Sequence, residues 1–96
     1  MPKGYIIGHV TVTDAEAYKP YSARNDVLLP RHGGRFLTRG GRSEVMEGDS
    51  AERHVVIEFP SYEAALAFYN DPEYVENRKL RQKASSGTLM VVEGVA

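Results

Sequence analysis

The chain has 96 residues, of which 42% are hydrophobic and 26% are charged, and its formal net charge is −1. This length fits one domain over residues 1–96, and the composition is that of a folded protein rather than a disordered one. The near-zero charge excludes a global attraction to nucleic acid or membrane, and the absence of cysteine excludes disulfides, thiolate nucleophiles and cysteine-held metals. Because no stretch is apolar enough for a secretory signal or a membrane span, we expect a cytoplasmic protein with neither nucleic-acid nor membrane partners.

The first elements are a strand and a helix. Strict alternation over Tyr5–Val12 predicts a strand, and Thr13–Glu16 fits a capping box that starts a helix. Pro20 and Pro30 each remove a backbone donor and should bend this helix. We expect it to close near His32, with one of the next two glycines as its left-handed stop.

Two strands should follow. Arg35–Thr38 predicts the first, and the bend at Gly40 and Gly41 would allow residues 44–47 to continue it. A turn at Gly48–Ser50 then leads into a strand at His54–Phe59.

The second half of the chain repeats the alternation of helix and strand. Ser61 is suited to cap a helix, which Asn70–Pro72 interrupts before a second helical piece runs to about Lys83. A turn at residues 85–87 precedes a last strand at Thr88–Val92. The resulting order, β-α-β-β-α-β, predicts an α+β, ferredoxin-like sandwich with a four-stranded antiparallel sheet.

The parity of the strand residues predicts how the sheet is covered. One face is almost purely apolar and should meet the helices; it carries Ile6, Val10, Val12, Val55, Ile57, Phe59, Met90 and Val92. The other face carries Tyr5, Ile7, His9, Thr11, His54, Val56, Glu58, Leu89, Val91 and Glu93. A monomer would expose the apolar members of this second face to water, so we expect a homodimer that pairs sheet to sheet.

The chain resembles the domain of unknown function 1330 family, within the dimeric α/β-barrel superfamily. The resemblance spans nearly the whole chain and is carried by five segments: residues 3–5, 32–41, 55–61, 65–74 and 91–94. It implies a ferredoxin-like subunit that forms a dimeric α/β barrel, but no activity, because the family has no established reaction. The wider superfamily includes cofactor-free monooxygenases, lactone isomerases and haem enzymes, among which fold alone does not choose.

Five residues are candidates for a ligand site on the inter-sheet face: Tyr5, His9, Arg39, His54 and Glu58. His9 is the candidate general acid or base, Glu58 could orient it or act as base, and Arg39 could hold a carboxylate or an oxyanion. One hypothesis is a cofactor-free enzyme that acts on a small organic metabolite. The alternatives are a binding or accessory protein without turnover, and a filled interior in which these polar groups only satisfy one another.

The remaining residue patterns do not indicate a metal site, a cofactor site or a nucleic-acid-binding surface. His54 and Glu58 share a strand face but lie ~13 Å apart, so we expect no metal site, and no cofactor is indicated. The arginines of residues 35–42 and the basic segment Arg78–Lys83 are interpreted as solvated surfaces. Packing is the expected role of the helical tyrosines, which are Tyr18, Tyr21, Tyr69 and Tyr74.

Overall fold

Four strands and the helices between them follow the predicted order. A computed structural model describes residues 2–96. Its elements are β1 (Gly4–Val12), α1 (Ala15–Leu28), a 3-10 helix (Leu29–His32), β2 (Arg35–Arg39), β3 (Arg53–Phe59), α2 (Tyr62–Tyr69), α3 (Pro72–Ala84) and β4 (Ser85–Glu93). The sheet is antiparallel in the order β2-β3-β1-β4, and the predicted ferredoxin-like α+β arrangement is confirmed.

The core lies between one face of the sheet and the helices. Ile6 and Val10 of β1 and Ile57 and Phe59 of β3 belong to a single buried cluster. The helices complete this cluster with Tyr18, Tyr21, Leu28, Ala65, Phe68, Tyr74 and Ala84. The predicted parity of β1 and β3 is therefore confirmed.

Side-chain caps define the helix ends, and most of them were predicted. Ser61 accepts a hydrogen bond from the amide of Ala64 at 3.1 Å, and Asp71 accepts one from the amide of Glu73 at 2.9 Å. Gly33 closes the 3-10 helix with φ of 72°, a left-handed conformation that glycine adopts without strain. The predicted capping box at Thr13 is wrong, because Asp14 is the cap and accepts from the amide of Ala17.

Two further predictions are wrong. Residues 44–47 do not continue β2, because Val45 and Met46 find no apolar surface to cover and are 51% and 83% exposed. Residues 85–87 are not a turn but the start of β4, which follows α3 directly. The junction is fixed by buried Ala84, whose carbonyl accepts hydrogen bonds from the amides of Thr13 and Asp14.

The side chains of β4 lie on the opposite sides of the sheet from those predicted. Ile6 pairs with Val91 and Gly8 with Leu89, so Leu89 and Val91 face the core. Met90 pairs with Ile7 and Val92 with Tyr5, and these two β4 residues are 43% and 39% exposed on the other side of the sheet. Since residues directly opposite in an antiparallel pair share a face, the register with β1 decides this assignment.

Candidate ligand site and the open sheet face

The sheet surface away from the helices is called the open face. Its residues, by parity and register, are Tyr5, Ile7, His9, Thr11, Arg35, Thr38, His54, Val56, Glu58, Thr88, Met90 and Val92. It therefore includes four of the five sequence-predicted candidates.

The polar groups of the open face pair with one another. Glu58 accepts from the Tyr5 hydroxyl at 3.5 Å and from Arg35 Nε at 3.0 Å. The Nδ1 atoms of His9 and His54 are 2.8 Å apart. Tyr5 with Glu58 and His9 with His54 thus form two separate pairs, the arrangement expected of polar groups that satisfy each other.

Arg39 lies on the opposite side of the sheet from His9 and Glu58. A register shift between Phe36 and Thr38 turns Arg39 toward the helices, where it is paired with Val55 on the core side. Its guanidinium donates to Asp26 at 2.7 Å and to the carbonyl and hydroxyl oxygens of Ser22 at 2.9 and 3.0 Å. The structure therefore does not bring the three proposed catalytic residues together.

An enclosed space between the sheet and helices α1 and α3 is called the interior cavity. Its volume is about 30 Å³, enough for more than one water molecule. Apolar side chains of all four strands form its floor, and Gly8 leaves room at the centre because it has no side chain. The polar groups that line it are Tyr18, Tyr21, Ser22, Asn25, Arg39, Arg53, Tyr74 and Arg81.

Two arginines of the interior cavity lack partners for part of their guanidinium. The Nε atoms of Arg53 and Arg81 are buried and find no hydrogen-bond acceptor within residues 2–96. Neither side chain forms an ion pair with a carboxylate of that part of the chain. Their guanidinium carbons lie 5.7 and 5.9 Å from the ring centres of Tyr18 and Tyr21, respectively. Both positive charges therefore border the cavity without a compensating negative charge.

Local structure places these two arginines at the cavity. Arg53 opens β3 opposite Val10, and therefore on the core side of the sheet. Its side chain passes so close to Gly40, which has φ of 68°, that a Cβ there would collide with the guanidinium. Arg81 is two turns after Tyr74 in α3, so both residues lie on the buried side of that helix.

The tyrosines supply neutral hydroxyl groups. The Tyr21 and Tyr74 hydroxyls are 2.9 Å apart and buried. Burial, reinforced by the proximity of Tyr21, raises the pKa of Tyr74 well above its ordinary value, and burial also raises the pKa of Tyr18. The phenols of Tyr18 and Tyr74 therefore stay protonated at neutral pH and can donate hydrogen bonds to a ligand.

A buried amide pair holds the helices that carry these groups. Asn77 of α3 donates to the Asn25 side chain at 3.0 Å and to the Tyr21 carbonyl at 3.2 Å. Both asparagines are buried, so the bonds fix the spacing of α1 and α3 over the cavity.

The polar groups that line the interior cavity are guanidinium groups, phenols, an amide and a hydroxyl. Its lining, as far as the structure describes the chain, contains no histidine, aspartate, glutamate or cysteine. No lining group titrates ordinarily near neutral pH, so proton abstraction has no obvious base there. Guanidinium groups and neutral phenols instead suit a carboxylate or an oxygen atom that develops negative charge.

The interior cavity was missed because its polar residues were interpreted singly. The sequence predicts packing for Tyr18, Tyr21 and Tyr74 and a solvated helix end for Arg81. The spacing of Tyr74, Asn77 and Arg81 at i, i+3 and i+7 already placed all three on one helix face. The parity of Arg53, two residues before Val55, likewise placed it toward the helices.

Among residues 2–96, no helix is both long and apolar enough to cross a membrane.

Comparison with known proteins gives a family and a fold. The family model for DUF1330, a domain of unknown function, matches residues 3–95. The chain therefore belongs to the DUF1330 family. No curated protein matches the chain.

Several solved structures share the fold. A protein of unknown function from Rhodopseudomonas palustris is 22% identical with a TM-score of 0.77, and the match covers 99% of this chain and 84% of that one. A dabb family protein with a ferredoxin-like fold from Mesorhizobium loti is 15% identical with a TM-score of 0.68, covering 100% and 98%. SnoaB, a cofactor-independent oxygenase from Streptomyces nogalater, is 14% identical with a TM-score of 0.67, covering 100% and 96%. At these identities the likeness establishes the ferredoxin-like fold alone.

Proposed function

We propose that this DUF1330 family member is a homodimer that binds a small organic anion in the interior cavity of each subunit. The observation that carries the binding proposal is the pair of guanidinium groups, Arg53 and Arg81, whose buried Nε atoms find no acceptor in residues 2–96. Buried donors are nearly always satisfied, and buried charges are nearly always paired. A bound anion would supply both the missing acceptor and the missing charge.

The lining defines the chemical class of the ligand. Planar guanidinium groups match the two oxygens of a carboxylate better than a single ammonium would. Apolar walls that include Phe36, Val55 and Leu89 suit a short hydrocarbon part. The small volume of the cavity, about 30 Å³, excludes a large aromatic ligand.

The open face supports the homodimer. Met90 and Val92 are exposed there beside the half-buried side chains of Ile7 and Val56. Such a contiguous apolar surface is rarely left in water, and a second copy covers it with a symmetric contact. The polar groups of the same surface are hydrogen-bonded to one another, so they do not oppose its burial.

A second candidate function is cofactor-free catalysis in the same cavity. It is favoured by the position of Arg53, Arg81 and the neutral Tyr18 hydroxyl around one enclosed space, where they would stabilise an enolate or another oxyanion. Without a base in the lining, the substrate would have to be acidic enough to lose its proton readily. The catalytic role of His9 stays a prediction, and it applies to the other side of the sheet.

Native mass spectrometry of freshly purified protein tests the proposal. We expect a two-chain mass that carries a small-molecule increment. Two variants should lose the increment while keeping the dimer: Arg81→Met, which keeps an unbranched stem and removes the guanidinium charge, and Gly8→Val, which fills the cavity. The second variant is sterically reasonable because a Cβ at Gly8 would meet its nearest neighbour, Leu89, at 3.7 Å.

The outcomes separate the parts of the proposal. A monomer mass would overturn the homodimer and leave the cavity untouched. An increment that Arg81→Met and Gly8→Val retain would place the ligand elsewhere and overturn the interior cavity as its site. Turnover of the identified ligand would favour the catalytic candidate, and binding without turnover would favour the binding protein.

A further inference from the structure

The two histidines of the open face converge on one point. His9 of β1 and His54 of β3 are directly opposite in the antiparallel register, so their side chains leave the sheet together. Their rings are 5.1 Å apart between centres and inclined by 65°, and their Nδ1 atoms are separated by 2.8 Å. Both side chains are only half-buried, so the point between them is accessible in one subunit.

We propose that His9 and His54 bind one divalent transition-metal ion of the zinc, nickel or copper class through their Nδ1 atoms. Nitrogen ligands of zinc lie about 2.05 Å from the ion, which sets two of them about 2.9 Å apart at a right angle and about 3.3 Å apart at the tetrahedral angle. The observed 2.8 Å is short of these separations by a few tenths of an ångström. A small rotation of either imidazole ring closes that difference, with no movement of the backbone.

The ligand type selects the class of metal. Neutral imidazole nitrogen is a good ligand for zinc, nickel and copper and a poor one for magnesium or calcium, which take oxygen ligands. Each neutral imidazole would present a lone pair at Nδ1, so the ring that holds its proton at Nδ1 would take the tautomer protonated at Nε2.

This assignment revises the expectation drawn from the sequence. On that expectation His54 and Glu58 are too far apart for one ion, and His9 could be close to only one of them; Glu58 is already bonded to Tyr5 and Arg35. The cross-strand partner, His9, is the residue that the register brings into range. No third histidine, aspartate or glutamate of residues 2–96 joins the pair, so water or a second copy of the chain would complete the coordination.

The site uses residues of one chain and does not depend on the anion proposed for the interior cavity, which lies across the sheet. If two open faces pair, the second copy or water fills the remaining coordination positions of the ion. The expected stoichiometry is therefore between one ion per two chains and one ion per chain.

Isothermal titration of the tag-free protein with zinc chloride, and with magnesium chloride as the control cation, tests the site. We expect saturable zinc binding and no saturable magnesium binding. His9→Gln and His54→Gln should each weaken zinc binding by at least about tenfold, since even altering an outer-shell partner of a ligand typically costs 10- to 100-fold.

The matched control is His32→Gln, which removes the only other histidine of the chain. His32 is 2.7 Å from Asp71 across the 3-10 helix and α3, and their hydrogen bond lowers the pKa of the Asp71 carboxyl. Because that pair is remote from the open face, the zinc affinity of His32→Gln should equal that of the unmodified chain.

Imidazole nitrogen NMR of the unmodified chain gives a second readout that is independent of whether the variants fold. Zinc should shift the His9 and His54 signals and leave those of His32 in place. The absence of saturable zinc binding would overturn the proposal. So would zinc affinity that both open-face variants retain, or a zinc-induced shift confined to His32.

Discussion

The polar groups on the two sides of the sheet differ in how completely they are hydrogen-bonded. On the open face, Glu58 is bonded to Tyr5 and Arg35, and the two histidines are bonded to each other. On the covered face, the interior cavity leaves the Nε atoms of Arg53 and Arg81 buried without an acceptor in residues 2–96. A buried donor without an acceptor marks a place where a ligand is expected, whereas the paired groups of the open face can bind one only by exchanging a hydrogen bond for it.

The comparison also separates stability from assembly. The covered face holds the aromatic cluster in which Tyr74 and Phe68 stack with ring centres 4.4 Å apart. The open face holds apolar residues that remain partly in water, such as Met90 and Val92. Substitutions on the covered face should therefore mainly lower the free energy of unfolding. Substitutions on the open face should mainly weaken association of the two subunits.

The largest expected effect is that of Tyr74→Ala. Tyr74 is 1% exposed, and its removal leaves a large cavity, so the free energy of unfolding should fall by about 3–5 kcal/mol. Urea denaturation at fixed protein concentration measures this change. Tyr74→Phe is the matched control: it keeps the ring and loses only the hydrogen bond to Tyr21, so it should cost about 1 kcal/mol. Equal losses in the two variants would show that the ring is not a core element.

A smaller effect, on association, is expected of Met90→Lys. An unpaired ammonium group held between two sheets costs several kcal/mol. The dissociation constant of the dimer should therefore rise at least about 100-fold, while the subunit stays folded. Analytical ultracentrifugation over a concentration series measures the constant.

Val27→Lys is the control for charge alone. Val27 is similarly exposed but lies on α1, away from the open face. That variant should associate as the unmodified chain does. Dissociation of both variants, or of neither, would contradict the assignment of the open face as the interface.

Local signals in the sequence predicted much of the fold. Ser61, the Asp71–Pro72 step and Gly33 each have a short-range reason to start or stop a helix, and the structure has each of them in that role. The alternation in β1 and β3 was strong enough to give their parity. In β4, four consecutive apolar residues at positions 89–92 carry no alternation, so only the register with β1 could decide which of them face the core.

The candidate sites were less predictable because they depend on long-range placement. The Arg39 side chain points toward the helices because of a register shift in β2. No pattern of residues in the sequence predicts that shift. The convergence of Arg53 and Arg81 requires the distance between β3 and α3, which sequence does not give. Long side chains such as arginine also combine an apolar stem with a polar end, so a helical position can be both buried and charged.

The most direct test of the interior cavity is to observe the arginine Nε–H groups themselves. In proton–nitrogen NMR, sodium acetate would be titrated as the smallest carboxylate probe, with sodium chloride at matched ionic strength as the reference. The Nε–H signals of Arg53 and Arg81 should shift saturably with acetate, because their donors are unoccupied in residues 2–96. The signal of Arg35, whose Nε already donates to Glu58 on the open face, should not shift. Signals of Arg53 and Arg81 that stay in place, or that move no more than that of Arg35, would contradict the assignment of the cavity as an anion site.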